Sequence, residues 1–119
     1  MFGYRKGNNL TDFLFKMKKE IIYNAIKNAV EKEVEPNENW EQRNDEDSVM
    51  CRAIVINILH QIGYSRSVIT DLTKWKKSCV VNHINTWNDR KKCSRILVVW
   101  HTQIVRELCK NPLFEGLLS

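Results

Sequence analysis

Turn-forming residues are scarce: the 119-residue chain holds 4 Gly and 2 Pro. That is too few for the many tight turns of a sandwich or barrel, so helices are the expected building unit. Long apolar runs are missing too. No stretch reaches the roughly 18–20 uninterrupted apolar residues that cross a bilayer, and Met1 to Asn9 carries no apolar run of the kind a secretory leader needs. A soluble, cytoplasmic protein without membrane contact is the expectation. The four cysteines, Cys51, Cys79, Cys93 and Cys109, include no CxxC pair, and reduced thiols are the default reading. Cys79 and His83 lie four apart and would share a helix face, with His101 and Cys93 or Cys109 to complete a zinc set. Zinc sites usually include at least one close cysteine pair, so neither metal nor cofactor is expected. The basic C-terminal half has only Asp71, Asp89, Glu107 and Glu115 as acids. No nucleophile stands beside a base and no carboxylates pair, so an enzyme is not expected.

What is present is one domain's worth of chain with an uneven charge. Hydrophobic residues make up 43% and charged residues 28%, close to the roughly 45–50% and 25% of ordinary globular domains. The formal charge is +5. Met1 to Val34 carries 7 basic against 4 acidic residues, Glu35 to Val49 carries 1 against 6, and Met50 to Ser119 carries 11 against 4. Lys74, Lys76, Lys77, Arg90, Lys91, Lys92 and Arg95 crowd into 22 residues whose only acid is Asp89. Such a cluster fits a nucleic-acid surface, and equally a solvated face that keeps the protein soluble.

Periodicity predicts five helices in a single domain over residues 1–119. Residues 10–34 form an amphipathic helix, with Leu14, Met17, Ile21, Ile22, Ala25, Ile26, Ala29 and Val30 at three and four residue steps and Lys16, Lys18, Lys19, Lys27 and Lys32 on its polar face. Residues 35–47, with Pro36 and a single large apolar residue, Trp40, read as an acidic linker that Trp40 can tack to the body. Residues 48–110 are the expected core unit. Asp45 to Ser48 supply cap chemistry for a hydrophobic helix that ends at Gly63. A brief helix follows, about Ser67 to Thr73, capped by Ser65 or Ser67. After a basic turn, Val80, Val81, Ile84 and Trp87 repeat at helical spacing behind Ser78. The last helix, about Lys91 to Cys109, carries Ile96, Val99, Trp100, Ile104 and Leu108 and stops at Pro112.

A hydrophobic helix, a short helix, a tight basic turn and a second helix are the outline of a helix-turn-helix, whose second helix enters the major groove of DNA. Ile69 and Leu72 would pack on Val80 and Ile84, leaving Asn82, Asn85 and Thr86 outward. Asparagine can make paired hydrogen bonds to adenine. Lys76, Lys77 and Ser78 at the helix start suit phosphate or guanine, and Lys74, Arg90, Lys91 and Lys92 extend the basic surface.

Cys51 to Trp87 resembles the C-terminal DNA-binding domain of the bacterial replication initiator DnaA, a Trp-repressor-like helix-turn-helix. The corresponding runs are CRAIVINILHQIGYS, SVITDLTKW and KKSCVVNHI. Arg52 matches the arginine of the family's leading helix, Ser65 its turn, Ile69 the isoleucine of the short helix, Ser78 the first hydroxyl of the recognition helix and Val80 its anchoring valine. Trp75-Lys76-Lys77 stands where the family has Arg-Asp-His, so the resemblance implies the fold and general affinity for duplex DNA. The chain has no room for an ATPase domain and is not expected to be an initiator. The candidate dimer elements are the first helix, Asp12 to Val34, and the last; a homodimer is expected through the last, where Ile96, Leu97, Val98, Val99 and Trp100 follow one another, and the other possibility is that the first helix crosses it and buries that surplus within a monomer. The alternative function is a helical interaction or assembly adaptor that binds no nucleic acid.

Overall fold

The computed structural model describes the backbone of residues 2–118 and the side chains of residues 10–118. Among the described residues every regular element is helical: α1 (Phe2–Val34), α2 (Glu46–Ile62), α3 (Arg66–Thr73), α4 (Lys77–Asn85), α5 (Trp87–Cys93) and α6 (Arg95–Cys109), with a 3-10 turn at Pro112–Phe114. None of these helices is long and apolar enough to cross a membrane.

The all-helical expectation holds, but there are six helices where five were expected. Ser94 is the reason. Its backbone is extended (φ −131°, ψ 107°) and its hydroxyl accepts the amide hydrogen of Leu97, so it caps α6 and ends α5 inside the run expected from Lys91 to Cys109. Trp87, expected in line with Val80 and Ile84, instead opens α5 after a junction at Thr86. The first helix also starts earlier, at Phe2.

α2 is the centre of the molecule. Met50 to Leu59 are buried without interruption, and the helix packs on α1, α3, α4 and α6. Its β-branched run could have formed a strand, but both ends carry helix caps. Asp45 accepts from the Ser48 amide (3.2 Å) and hydroxyl (2.8 Å), while Gly63 adopts a left-handed conformation (φ 118°) that side-chain-bearing residues avoid. Those bonds and Arg43 hold the Asp45 carboxyl down at about 2.

The acidic stretch 35–47 is a fastened loop. Trp40 is 3% exposed, and its indole N–H donates to Glu31 at 3.0 Å. Trp75 meets Trp40 edge to face (centroids 6.3 Å apart) and donates to the Glu41 carbonyl at 3.0 Å. From beneath, the buried Arg52 guanidinium donates to the carbonyls of Trp40 (2.6 Å) and Arg43 (2.7 Å). Arg52, the counterpart of the family's helix arginine in the resemblance, thus holds the loop.

α1 lies mainly on α6 and α2, burying Ile22, Ile26 and Val30 at four-residue steps. It covers part of the apolar surplus of α6: Leu97, Ile104 and Leu108 are buried, whereas Ile96, Val98 and Val99 remain 38–46% exposed. Residues 10–18 of α1 are exposed throughout, so this half of the helix projects as an arm, and its Asp12, Phe15 and Lys16 side borders α3 across a groove. The 54 × 31 × 27 Å shape and the 15.6 Å radius of gyration reflect that arm, since a compact chain of this length has a radius of about 13.5 Å.

Candidate nucleic-acid interface

The basic turn and the helix after it are positioned by a few buried contacts. Ile69 of α3 and Val80 of α4 are fully buried, with Leu72 and Ile84 packed beside them, as the spacing predicts. Between the two helices only Lys74, Trp75 and Lys76 intervene. The chain reverses in so short a space because Lys74 is left-handed (φ 64°, ψ 12°) and its amide closes on Thr70 at 2.9 Å. Thr73 stitches the turn: its hydroxyl donates to the Ile69 carbonyl (2.8 Å) and accepts the Trp75 amide hydrogen (3.2 Å).

α4 is also held from behind. Asn57 of α2 donates to the Ala53 carbonyl (2.8 Å) and the His83 carbonyl (3.1 Å). The His83 ring is 4% exposed and its Nδ1 has no partner. Burial first, then the positive charges of Arg90 and Arg52, pull its pKa down to about 4. The ring is neutral at physiological pH and belongs to the packing between α2 and α4.

With Val80 and His83 inward, the helical repeat places Ser78, Val81, Asn82 and Asn85 on the opposite side of α4. Ser78, Asn82 and Asn85 are exposed and Val81 is half-buried. Lys77 begins the helix and, like Lys76, is exposed. α2, α3 and α6 each have a side-chain cap, but Lys76 gives α4 none. The first amides of α4 therefore have no side-chain acceptor beside the lysines.

Four predicted site residues, Thr86, Arg90, Lys91 and Lys74, sit differently. The Thr86 hydroxyl donates to the Asn82 carbonyl (2.8 Å) and accepts from Arg90 Nε (3.2 Å), so both groups are already engaged with each other. Lys91 lies over the Trp87 ring at 5.6 Å, and that ring meets His101 of α6 edge to face; this lysine is directed to the α5–α6 side. Lys74 borders the groove between α1 and α3, with Asp12, Lys16 and Asp71. Lys92 is exposed on α5. Lys76 and Lys77 stand at the N-terminal end of α4, whose nine residues span roughly 13 Å, and Arg90 lies beyond its other end, on α5.

The structure adds a residue that sequence reasoning missed. Arg66, first in α3, reaches Asn85 at 3.5 Å, the long end of a hydrogen bond. With His60, Ser65, Ser67, Lys77 and Val81 it lines a shallow depression beside α4. The only sequence signal was its place directly behind the Ser65 cap; the 19 residues separating it from Asn85 hide the pairing until α3 and α4 pack.

Cys51 is buried, and that burial pushes its thiol up to about 12. Among the described residues no three His, Cys, Asp or Glu side chains gather where an ion could be held. Compared with protein families, with curated proteins and with solved structures, the chain matches none.

Proposed function

We propose that α3, its three-residue turn and α4 act as a helix-turn-helix, and that the protein binds duplex DNA with α4 in the major groove. The observation that carries this reading is the free outer face of α4: Ser78, Asn82 and Asn85 lie exposed in one row, with Lys76 and Lys77 at its N-terminal end. A helix about 10–12 Å across fits a major groove about 12 Å wide. In this arrangement Lys76, Lys77 and the open amides of α4 take phosphate, Arg66 and Lys92 add charge, and Asn82 and Asn85 face base edges. Arg90 supports Thr86 at the far end of the helix. The likeness of residues 51–87 to the DnaA C-terminal domain points the same way.

Binding measurements on variants separate positioning from reading. Lys76→Ala and Lys77→Ala are expected to weaken binding to every duplex alike. Asn82→Ala or Asn85→Ala are expected to cost about 1–3 kcal/mol on a duplex selected from random sequence, and little on others. Equal losses at all four positions on all duplexes would show that α4 does not read bases.

An assembly adaptor without nucleic-acid binding is the second reading, favoured by the exposed apolar side chains of α1 and α6. For a homodimer through α6 the available surface is Ile96, Val98 and Val99, roughly 200 Å², small beside the ~800 Å² per partner of a standard interface.

A further inference from the structure

The largest unpartnered apolar surface lies on the arm of α1. Leu10, Phe13, Leu14, Met17 and Ile21 share one face of the helix and are 43–61% exposed; Phe15, also exposed, lies on the side that borders α3. At about 100 Å² for a large side chain left half open, the residues of that one face present roughly 500 Å² per chain, more than half of the ~800 Å² that each partner of a stable complex buries. A helical arm without packing is also marginal in water, because isolated helices shorter than about 12–15 residues gain too little from their own hydrogen bonds. A surface that covers the stripe would supply what the arm lacks.

We infer that this stripe is the contact for a second copy of the chain. Leu10, Leu14, Met17 and Ile21 follow one another at steps of four, three and four, the spacing of a coiled-coil seam. This face differs from the one that Ile22, Ile26 and Val30 bury in the body. The 4-3-4 spacing reads the same from either end. Two arms laid antiparallel about a two-fold axis therefore put Leu14 of each against Met17 of the other, and Leu10 against Ile21. Charge permits the approach: between residues 10 and 21, Lys16, Lys18 and Lys19 are nearly balanced by Asp12 and Glu20, whereas an acidic partner or an anionic lipid surface would call for a stronger surplus. Beyond Ile21 the same seam continues as exposed Asn24 and Asn28, so its apolar part ends near the body. The inference does not rest on DNA binding.

Light scattering on the full chain at micromolar concentration, without DNA, tests it. The wild type is expected at twice 14.1 kDa, and Leu14→Glu/Met17→Glu at the single-chain mass. Both positions are exposed, so the body stays folded, which tryptophan fluorescence monitors, since all four tryptophans lie outside the arm. Val98→Glu on α6 is expected to leave the dimer intact. A wild type at the single-chain mass at every concentration would overturn the inference, as would a dimer that survives the double substitution or is lost with Val98→Glu. A monomer that co-sediments with phosphatidylglycerol vesicles would assign the stripe to a lipid surface instead.

Discussion

Lys74 does in the basic turn what glycine ordinarily does. A left-handed conformation costs an L-residue roughly 1–2 kcal/mol, and the tight connection between α3 and α4 needs it at this position. Lys74→Gly relieves that strain but loosens the unfolded chain, so a net gain of about 0.5–1 kcal/mol is expected, whereas Lys74→Ala keeps the strain. Urea unfolding of the two variants reads the difference as a higher midpoint for glycine at similar slope. A midpoint for glycine at or below that of alanine would contradict the assignment. Residue by residue, the exposed Asn82 and Asn85 were legible in the sequence because helical spacing alone sets their side of α4. Thr86 was not, since its hydroxyl is engaged by Asn82 and Arg90 and spacing carries no information about hydrogen-bond partners. Lys91 was assigned to the basic surface by charge, yet it lies over Trp87.

Among the elements, those with caps written in the chain were legible. Asp45 and Gly63 bound α2, Ser65 bounds α3, and the apolar steps of α4 predicted its packing on Ile69. The break between α5 and α6 was not, because Ser94 reads equally as a helix interior residue until its hydroxyl is seen capping Leu97. The fastening of 35–47 was legible in part: Trp40, the one large apolar residue there, marked where the loop tacks to the body, but only the fold brings Trp75 and Arg52 to it. The contact of α2 with α4 carries a pH dependence. His83 binds its proton less readily in the folded chain than in the unfolded one, its pKa falling from 6.5 to about 4. Stability is therefore full above about pH 6.5 and declines as pH drops from there toward 4, because the unfolded chain is protonated first. His101, lowered by burial and Lys91, acts in the same direction. Denaturant midpoints measured from pH 7.5 to 4 are expected to fall for the wild type and to fall less for His83→Phe, which also leaves no Nδ1 without a partner. Parallel profiles would contradict the neutral, packed state of this ring.

At the scale of the whole molecule, a helical body presents two surfaces that its own packing leaves open: the outer side of α4 and the apolar stripe of the α1 arm. The first was visible in the sequence as charge and helical order. The second was visible only in part: helical spacing put Leu14, Met17 and Ile21 among the apolar positions of the first helix, a candidate dimer element, but only the fold shows that they stay exposed while Ile22, Ile26 and Val30 are buried. The proposed binding of duplex DNA by the α4 side is tested most directly by fluorescence anisotropy of a labelled duplex titrated at several salt concentrations. Each phosphate neutralised on B-DNA contributes about 0.9 to the slope of log affinity against log salt. The account predicts binding at low salt, a slope of several units, and a slope shallower by about one in Lys77→Ala. Folded protein that binds no duplex at low salt, or a slope unchanged by Lys77→Ala, would contradict it.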